Sequence, residues 1–184
     1  ADEIIHGTYW SRGKGCAIGC TIHSSEHSQY ETELGIPKWL AYLEDVIFEG
    51  LGNSQAQLFP EKFLKAIPIG AVIGDDVQHK FFIWLLTDKI HGVILYANKD
   101  KRVIDVIEAV ALLHKRALSG SVVEESAAWS AAESAAWSAE ESAAWSAAWS
   151  AARSAARSAA WSEIAKKILS LLSEIEVPVP KMVR

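Results

Sequence analysis

The chain has 184 residues, half of them apolar, and a formal net charge of −5. That length suits one domain with a real core plus an appendage, and the apolar share excludes wholesale disorder. No basic stretch is long enough to follow a phosphate backbone, so nucleic acid is excluded as an expected partner.

The longest apolar runs, Phe81–Leu86 and Val93–Ala97, fall far short of the ~20 residues that span a bilayer, and no membrane partner is expected. The opening Ala-Asp-Glu-Ile-Ile-His has neither a basic start nor an apolar signal core. Two cysteines, Cys16 and Cys20, are no disulfide framework. These features lead to the expectation of a reduced, cytoplasmic protein.

Residues 1–15, with Gly7, Gly13 and Gly15 around Arg12 and Lys14, read as an irregular lead-in. A helix weakened by Gly19 is expected from Cys16 to about Tyr30. Gly35-Ile36-Pro37 breaks it, and Pro37 opens the next helix, in which Leu40, Leu43, Ile47 and Leu51 recur at helical spacing. Phe59-Pro60 begins a short helix that must stop before Pro68. Asp75-Asp76 caps a segment, Val77–Leu86, that is apolar nearly all round and belongs in the middle of a core. Val93–Ala97 fits a short strand or a helix. Lys101–Leu118 is helical, with Val103, Ile107, Val110 and His114 on one face and Gly120 as the stop.

After Gly120 serine recurs every fourth residue from Ser126 to Ser162. Most units read Ser-Ala-Ala-X, where X runs Trp129, Glu133, Trp137, Glu141, Trp145, Trp149, Arg153, Arg157, Trp161. Alanine is the best helix former, and neither Gly nor Pro interrupts residues 121–177. The tract passes into an amphipathic ending with Ile164, Ile168, Leu171 and Ile175 on one face, closed by Pro178 and Pro180. The expected fold is therefore all-α: a helical domain over residues 1–120, one very long Ala/Ser-rich repeat helix over 121–177, and a proline-containing tail over 178–184.

Each step of four advances X by about 40° around a helix. The tryptophans keep one face only if the helix overwinds against a surface, which the small Ser and Ala positions let come close. About 50 helical residues span roughly 75 Å, far more than a 120-residue body ~30–35 Å across covers. The overhang calls for a second copy. Glutamates fill the first half and arginines the second, a polarity that favours an antiparallel homodimer. Folding the series about Trp145 sets Trp129 against Trp161, Glu133 against Arg157 and Trp137 against Arg153. A register centred near residue 147 sets Glu141 against Arg153 and Trp145 against Trp149.

The densest chemistry is Gly15-Cys16-Ala17-Ile18-Gly19-Cys20-Thr21-Ile22-His23-Ser24-Ser25-Glu26-His27. On one helix Cys16, Cys20, His23 and His27 share a face, and adjacent pairs among Cys20, His23 and His27 could supply ligands to zinc. His23-x-x-Glu26-His27 also follows the inverted zinc-peptidase pattern, with Glu26 as base. Alternatively Cys16, at a helix N-terminus behind Arg12 and Lys14, is a nucleophile with a lowered pKa, served by His23, His79, His91 or His114. The simplest reading makes Gly15, Cys16, Ala17, Gly19 and Cys20 small residues for close helix packing.

The string Gly15–His23, with Tyr30–Pro37 and Leu43–Glu49, resembles bacterial and phage-borne proteins with no assigned activity, and the tetrapeptide tract resembles tails appended to several of them. The likeness covers residues 9–86 and the tail. It implies no activity, only that Cys16, Cys20 and His23 belong to a recurring string. The expected function is a structural or interaction protein that self-associates through the repeat helix. The alternative is a metal- or cysteine-dependent, hydrolase-like enzyme at Cys16–His27.

Overall fold

A computed structural model describes residues 3–8, 10–24, 26, 28–97, 99–120 and 157–178. Over these residues the chain is mostly helical, with one small sheet where the sequence suggested an irregular lead-in. Strands β1 (Glu3–Ile4), β2 (Trp10–Ser11) and β3 (Lys14–Gly15) run in the order β1-β3-β2. β1 pairs with β3 in parallel and β2 with β3 antiparallel, Trp10 opposite Gly15 and Ser11 opposite Lys14. The hairpin turns on Arg12 and Gly13, both at positive φ (49° and 79°), which is what a two-residue loop matched to the strand twist demands. The expected helical class holds for most of the described residues, and the correction is local: the glycines that read as loop residues shape a hairpin.

The single helix expected over Cys16–Tyr30 is two, α1 (Ala17–Ile22) and α2 (Gln29–Leu34). Gly35 closes α2 in the left-handed region, as the sequence break required. Behind Pro37 comes α3 (Lys38–Gly50), with Leu40, Leu43, Ile47 and, just beyond its end, Leu51 buried as expected. A short helix α4 (Asn53–Ala56) precedes α5 (Phe59–Ala66), which carries Pro60 in its first turn and ends before Pro68. Helices α1, α2, α4 and α5 all pack on α3.

Helix α6 (Asp75–Thr87) starts on its two aspartates, which occupy the first turn and complement the dipole. Its core role is narrower than its composition suggests: Val77, Phe81 and Leu86 are buried, whereas Phe82 to Leu85 are half-buried. Asp88 then accepts the backbone N–H groups of Ile90 (3.0 Å) and His91 (2.8 Å), turning the chain. Residues Val93–Tyr96 form a 3-10 turn. Helix α7 (Lys101–Ser119) ends at Gly120, with φ +64°. Ile107, Val110 and His114 are buried, but Val103, in the first turn, is exposed.

Helix α8 (Arg157–Ser173) is the described part of the long helix expected over 121–177; residues 121–156, with Trp129, Glu133, Trp137, Trp145, Trp149 and Arg153, lie outside the described residues. Its buried seam is Trp161, Ala165, Ile168 and Leu172, with Leu171 beside it, an i, i+4, i+7, i+11 stripe. The seam expected from Ile164, Ile168, Leu171 and Ile175 is shifted, with Ile164 and Ile175 only half-buried. The helix also ends at Ser173, ahead of Val177; residues before Pro178 are pushed out of the helical region.

The chain divides into two compact units, one of Ala1–Val77 with Trp161–Arg184 and one of Gln78–Ala160. The first division falls within α6 and the second within α8. In unit 1 the core combines Cys16, Ile18, Tyr30, Leu40, Phe48, Phe63, Ile168 and Leu172 among others. In unit 2 a cluster of Leu86, Val93, Ala97, Ile107, Val110 and Ala111 is flanked by Leu85, Ile94 and Ile104. No described helix is long and apolar enough to cross a membrane.

Within unit 1, α8 docks where α3 ends. The Trp161 ring lies directly on Gly50, so that a Cβ there would overlap the indole, and Ser162 Oγ donates to Gln55 Oε1 at 2.9 Å. Gly50→Ala should therefore destabilise unit 1 by about 1–3 kcal/mol through overpacking. In a Trp161→Ala background the same change should be neutral or slightly stabilising, because alanine is the better helix residue. Urea unfolding of the four proteins in this double-mutant cycle measures the coupling, and additivity would show that the ring does not rest on Gly50.

Candidate functional site

The Cys/His string folds as strand, short helix and turn. The Cys16 N–H donates to the Thr8 carbonyl at 2.6 Å, and the Cys16 carbonyl accepts the Cys20 N–H at 3.0 Å, so Cys16 is the N-cap of α1. Thr21 Oγ1 donates back to the Ala17 carbonyl at 2.9 Å. His23 then adopts the left-handed conformation (φ 54°, ψ 34°) and ends the helix. Three β-branched residues (Ile18, Thr21 and Ile22) and Gly19 make α1 weak, and Ser24 Oγ, accepting the Glu26 N–H at 3.1 Å, offers the backbone an alternative to another turn.

This break ends at Ile22 the helix that was expected to carry Cys16, Cys20, His23 and His27 on one face. The Cys20 thiol points back at the Gly15 carbonyl, 3.4 Å away. The His23 ring stacks on Trp10, centroids 4.6 Å apart and planes 22° from parallel. Glu26 is exposed, and His27 lies outside the described residues. Among the described residues no group of three or more His, Cys, Asp and Glu side chains could hold a metal ion.

Cys16 stands where a reactive thiol was expected, at a helix start behind Arg12 and Lys14, but its surroundings act the other way. It is 1% exposed, and burial, aided by the Asp45 side chain, pushes the thiol up to about 12. A six-residue helix offers too small a dipole to offset that desolvation. Native protein treated with iodoacetamide at pH 7 to 8 should therefore modify the half-buried Cys20, with Cys16 reacting only after unfolding. Peptide mapping that found Cys16 labelled first would restore it as a nucleophile.

The groups that burial perturbs most were not among the expected site residues. Glu44, on α3, is 0% exposed. Burial pushes its carboxyl up to about 8, with the neighbouring Asp45 charge adding and the Tyr30 hydroxyl opposing. Tyr30, on α2, is driven up in turn, first by burial and then by Glu44, while Thr21 opposes. Neither the Tyr30 hydroxyl nor either Glu44 oxygen makes a hydrogen bond of regular geometry, although the two groups face each other closely enough to shift one another. The sequence carried a signal for this. Glu44 is four residues after Leu40 and three before Ile47, which places it in the middle of the α3 apolar stripe. A carboxyl held protonated beside a protonated phenol can donate and store protons, but it supplies no nucleophile at neutral pH.

No family model matches the chain, and no match is found among curated proteins or solved structures.

The raised Glu44 pKa has a definite sign in stability. Between the ordinary value of 4.5 and about 8 the folded state keeps a proton that the unfolded state has released. Its contribution is thus full below pH 4.5 and lost as pH rises through about 8. Glu44→Gln, a neutral isostere, should flatten this dependence and be more stable than the parent at pH 9 by about 1–3 kcal/mol. Urea unfolding at pH 5, 7 and 9 tests it. Parallel pH profiles for the two proteins would show that Glu44 is ionised in the fold.

Proposed function

We propose that the chain is a structural, self-associating protein whose Ser-Ala-Ala-X tract continues into α8 as one long helix and packs antiparallel against the tract of a second copy. The observation that carries this reading is Trp161, the one X-position tryptophan among the described residues. It is 7% exposed, its ring covers the bare backbone at Gly50, and the adjacent Ser162 hydrogen-bonds to Gln55. A Trp-Ser pair of the repeat thus works there as a helix-packing unit. The ring covers a surface without side chains, and the hydroxyl satisfies a facing amide.

The same pair recurs at Trp129-Ser130, Trp137-Ser138, Trp145-Ser146 and Trp149-Ser150. The Ser and Ala positions of a second tract offer those rings a similar side-chain-poor surface. The tryptophans supply most of the association energy, since exposed ion pairs contribute only ~0–1 kcal/mol each. Because Trp161 is engaged within its own chain, the register centred on Trp145 loses its Trp129–Trp161 contact. The register near residue 147 keeps Trp145 against Trp149 and Glu141 against Arg153, and it is the one we favour. The enzyme reading at Cys16–His27 draws no comparable support, with Cys16 buried and protonated and Cys20 and His23 turned to separate partners.

Light scattering on the full chain at micromolar concentration should give a dimer. In a Cys20→Ser background, a mixture of Trp145→Cys and Trp149→Cys should form disulfide-linked pairs faster than either variant alone. A monomer would overturn the association, and faster linking of Trp145→Cys to itself would move the register to Trp145.

A further inference from the structure

Two of the histidines offered by the sequence as bases for Cys16 meet each other inside unit 2. His79 on α6 and His114 on α7 approach with their Nδ1 atoms 2.9 Å apart, ring centroids 5.1 Å apart and planes at 50°. His114 is 2% exposed, and its ring lies nearly parallel to Phe82, at 5.1 Å and 15°. Phe82 is three residues from His79 on the same face of α6. His79 is half-buried, which leaves the pair a way in from solvent.

Two like nitrogens at this distance are compatible with two arrangements. In one, a single proton on one Nδ1 is donated to the other. In the other, both rings carry their protons on Nε2, and two lone pairs converge on the same point. A cation bonded to both at the ~2.0–2.1 Å typical of imidazole ligands would subtend about 90° between nitrogens 2.9 Å apart, the angle of adjacent positions in octahedral coordination. Opening to a tetrahedral angle needs a separation of about 3.3 Å, a few tenths of an ångström more. That is within reach of small ring rotations. Both ligands stand on helices, and one has its ring plane held by an aromatic neighbour, so most of the ordering cost is met before a cation arrives.

We propose that His79 and His114 form a two-imidazole site for a late first-row divalent cation of the zinc, nickel and copper group, with water completing the coordination. Neutral imidazole prefers these ions to magnesium or calcium. With two protein ligands the site binds more weakly than a closed three- or four-ligand centre. It also staples α6 to α7, so the cation stabilises unit 2 rather than the Cys/His string. The site is independent of the repeat tract, because none of its ligands belongs to it.

The experiment is a calorimetric titration of the full, metal-stripped chain with Zn2+ at pH 7.5, repeated on His79→Gln, His114→Gln and His23→Ala, with circular dichroism to establish that each is folded. The expected result is one saturable equivalent in the parent chain and in His23→Ala, and at least tenfold weaker binding in His79→Gln and His114→Gln. Zn2+ should also raise the melting temperature of the parent and leave that of His79→Gln unchanged. Should His114→Gln not fold, the half-exposed His79→Gln decides alone. Absence of saturable binding to the parent, or binding unchanged by His79→Gln, would overturn the site and leave a shared-proton histidine pair. Loss of binding in His23→Ala alone would move the metal to the Cys/His string.

Discussion

Unit 1 depends on the width of the buried face of α3. Leu40, Ala41, Leu43, Glu44, Ile47 and Phe48 are all buried on this one helix, a face broad enough to take α1, α2, α4 and α5 at once. A stripe that wide leaves no room for its polar member to reach water. Glu44 is therefore retained as a neutral acid beside Tyr30 rather than as a charge, since an isolated buried carboxylate is far costlier. The end of the same helix is where α8 arrives, and the absence of a side chain at Gly50 admits an indole ring there.

Legibility followed how local each signal was. Pro37, Gly35, Gly120 and the Leu40–Leu51 periodicity are read from neighbours a few residues away, and the elements they mark stand where expected. The hairpin was not legible because strands of two residues carry no alternation, and Arg12-Gly13 announces a turn only once its partner strands are known. The break at His23 was missed for a related reason. Four chemically attractive residues at helical spacing outweighed the weak helix propensity of Gly19, Thr21 and Ile22, which decides the local fold. The seam of α8 shifted because Trp161 was read as a repeat residue facing a second copy and therefore left out of the stripe it in fact begins.

The candidate site divides in the same way. Sequence reasoning found Cys16, and the structure places it at a helix start as foreseen, but the thiol's reactivity is set by burial first and then by Asp45, and neither follows from spacing along the chain. Glu44 was visible as a misplaced acid in an apolar stripe. Its coupling to Tyr30 depends on how α2 meets α3, which is tertiary information. His79 and His114, thirty-five residues apart, had no sequence relation that would single out their approach.

The proton held by Glu44 also alters the charge that the folded molecule presents. The formal value of −5 counts every carboxyl as ionised. A group titrating at about 8 is about nine-tenths protonated at pH 7, so the native chain carries a charge nearer −4. Unfolding releases that proton. Native and denatured forms of the same polypeptide therefore differ in charge as well as in hydrodynamic drag, and at neutral pH the proton given up by Glu44 on unfolding passes to the solvent.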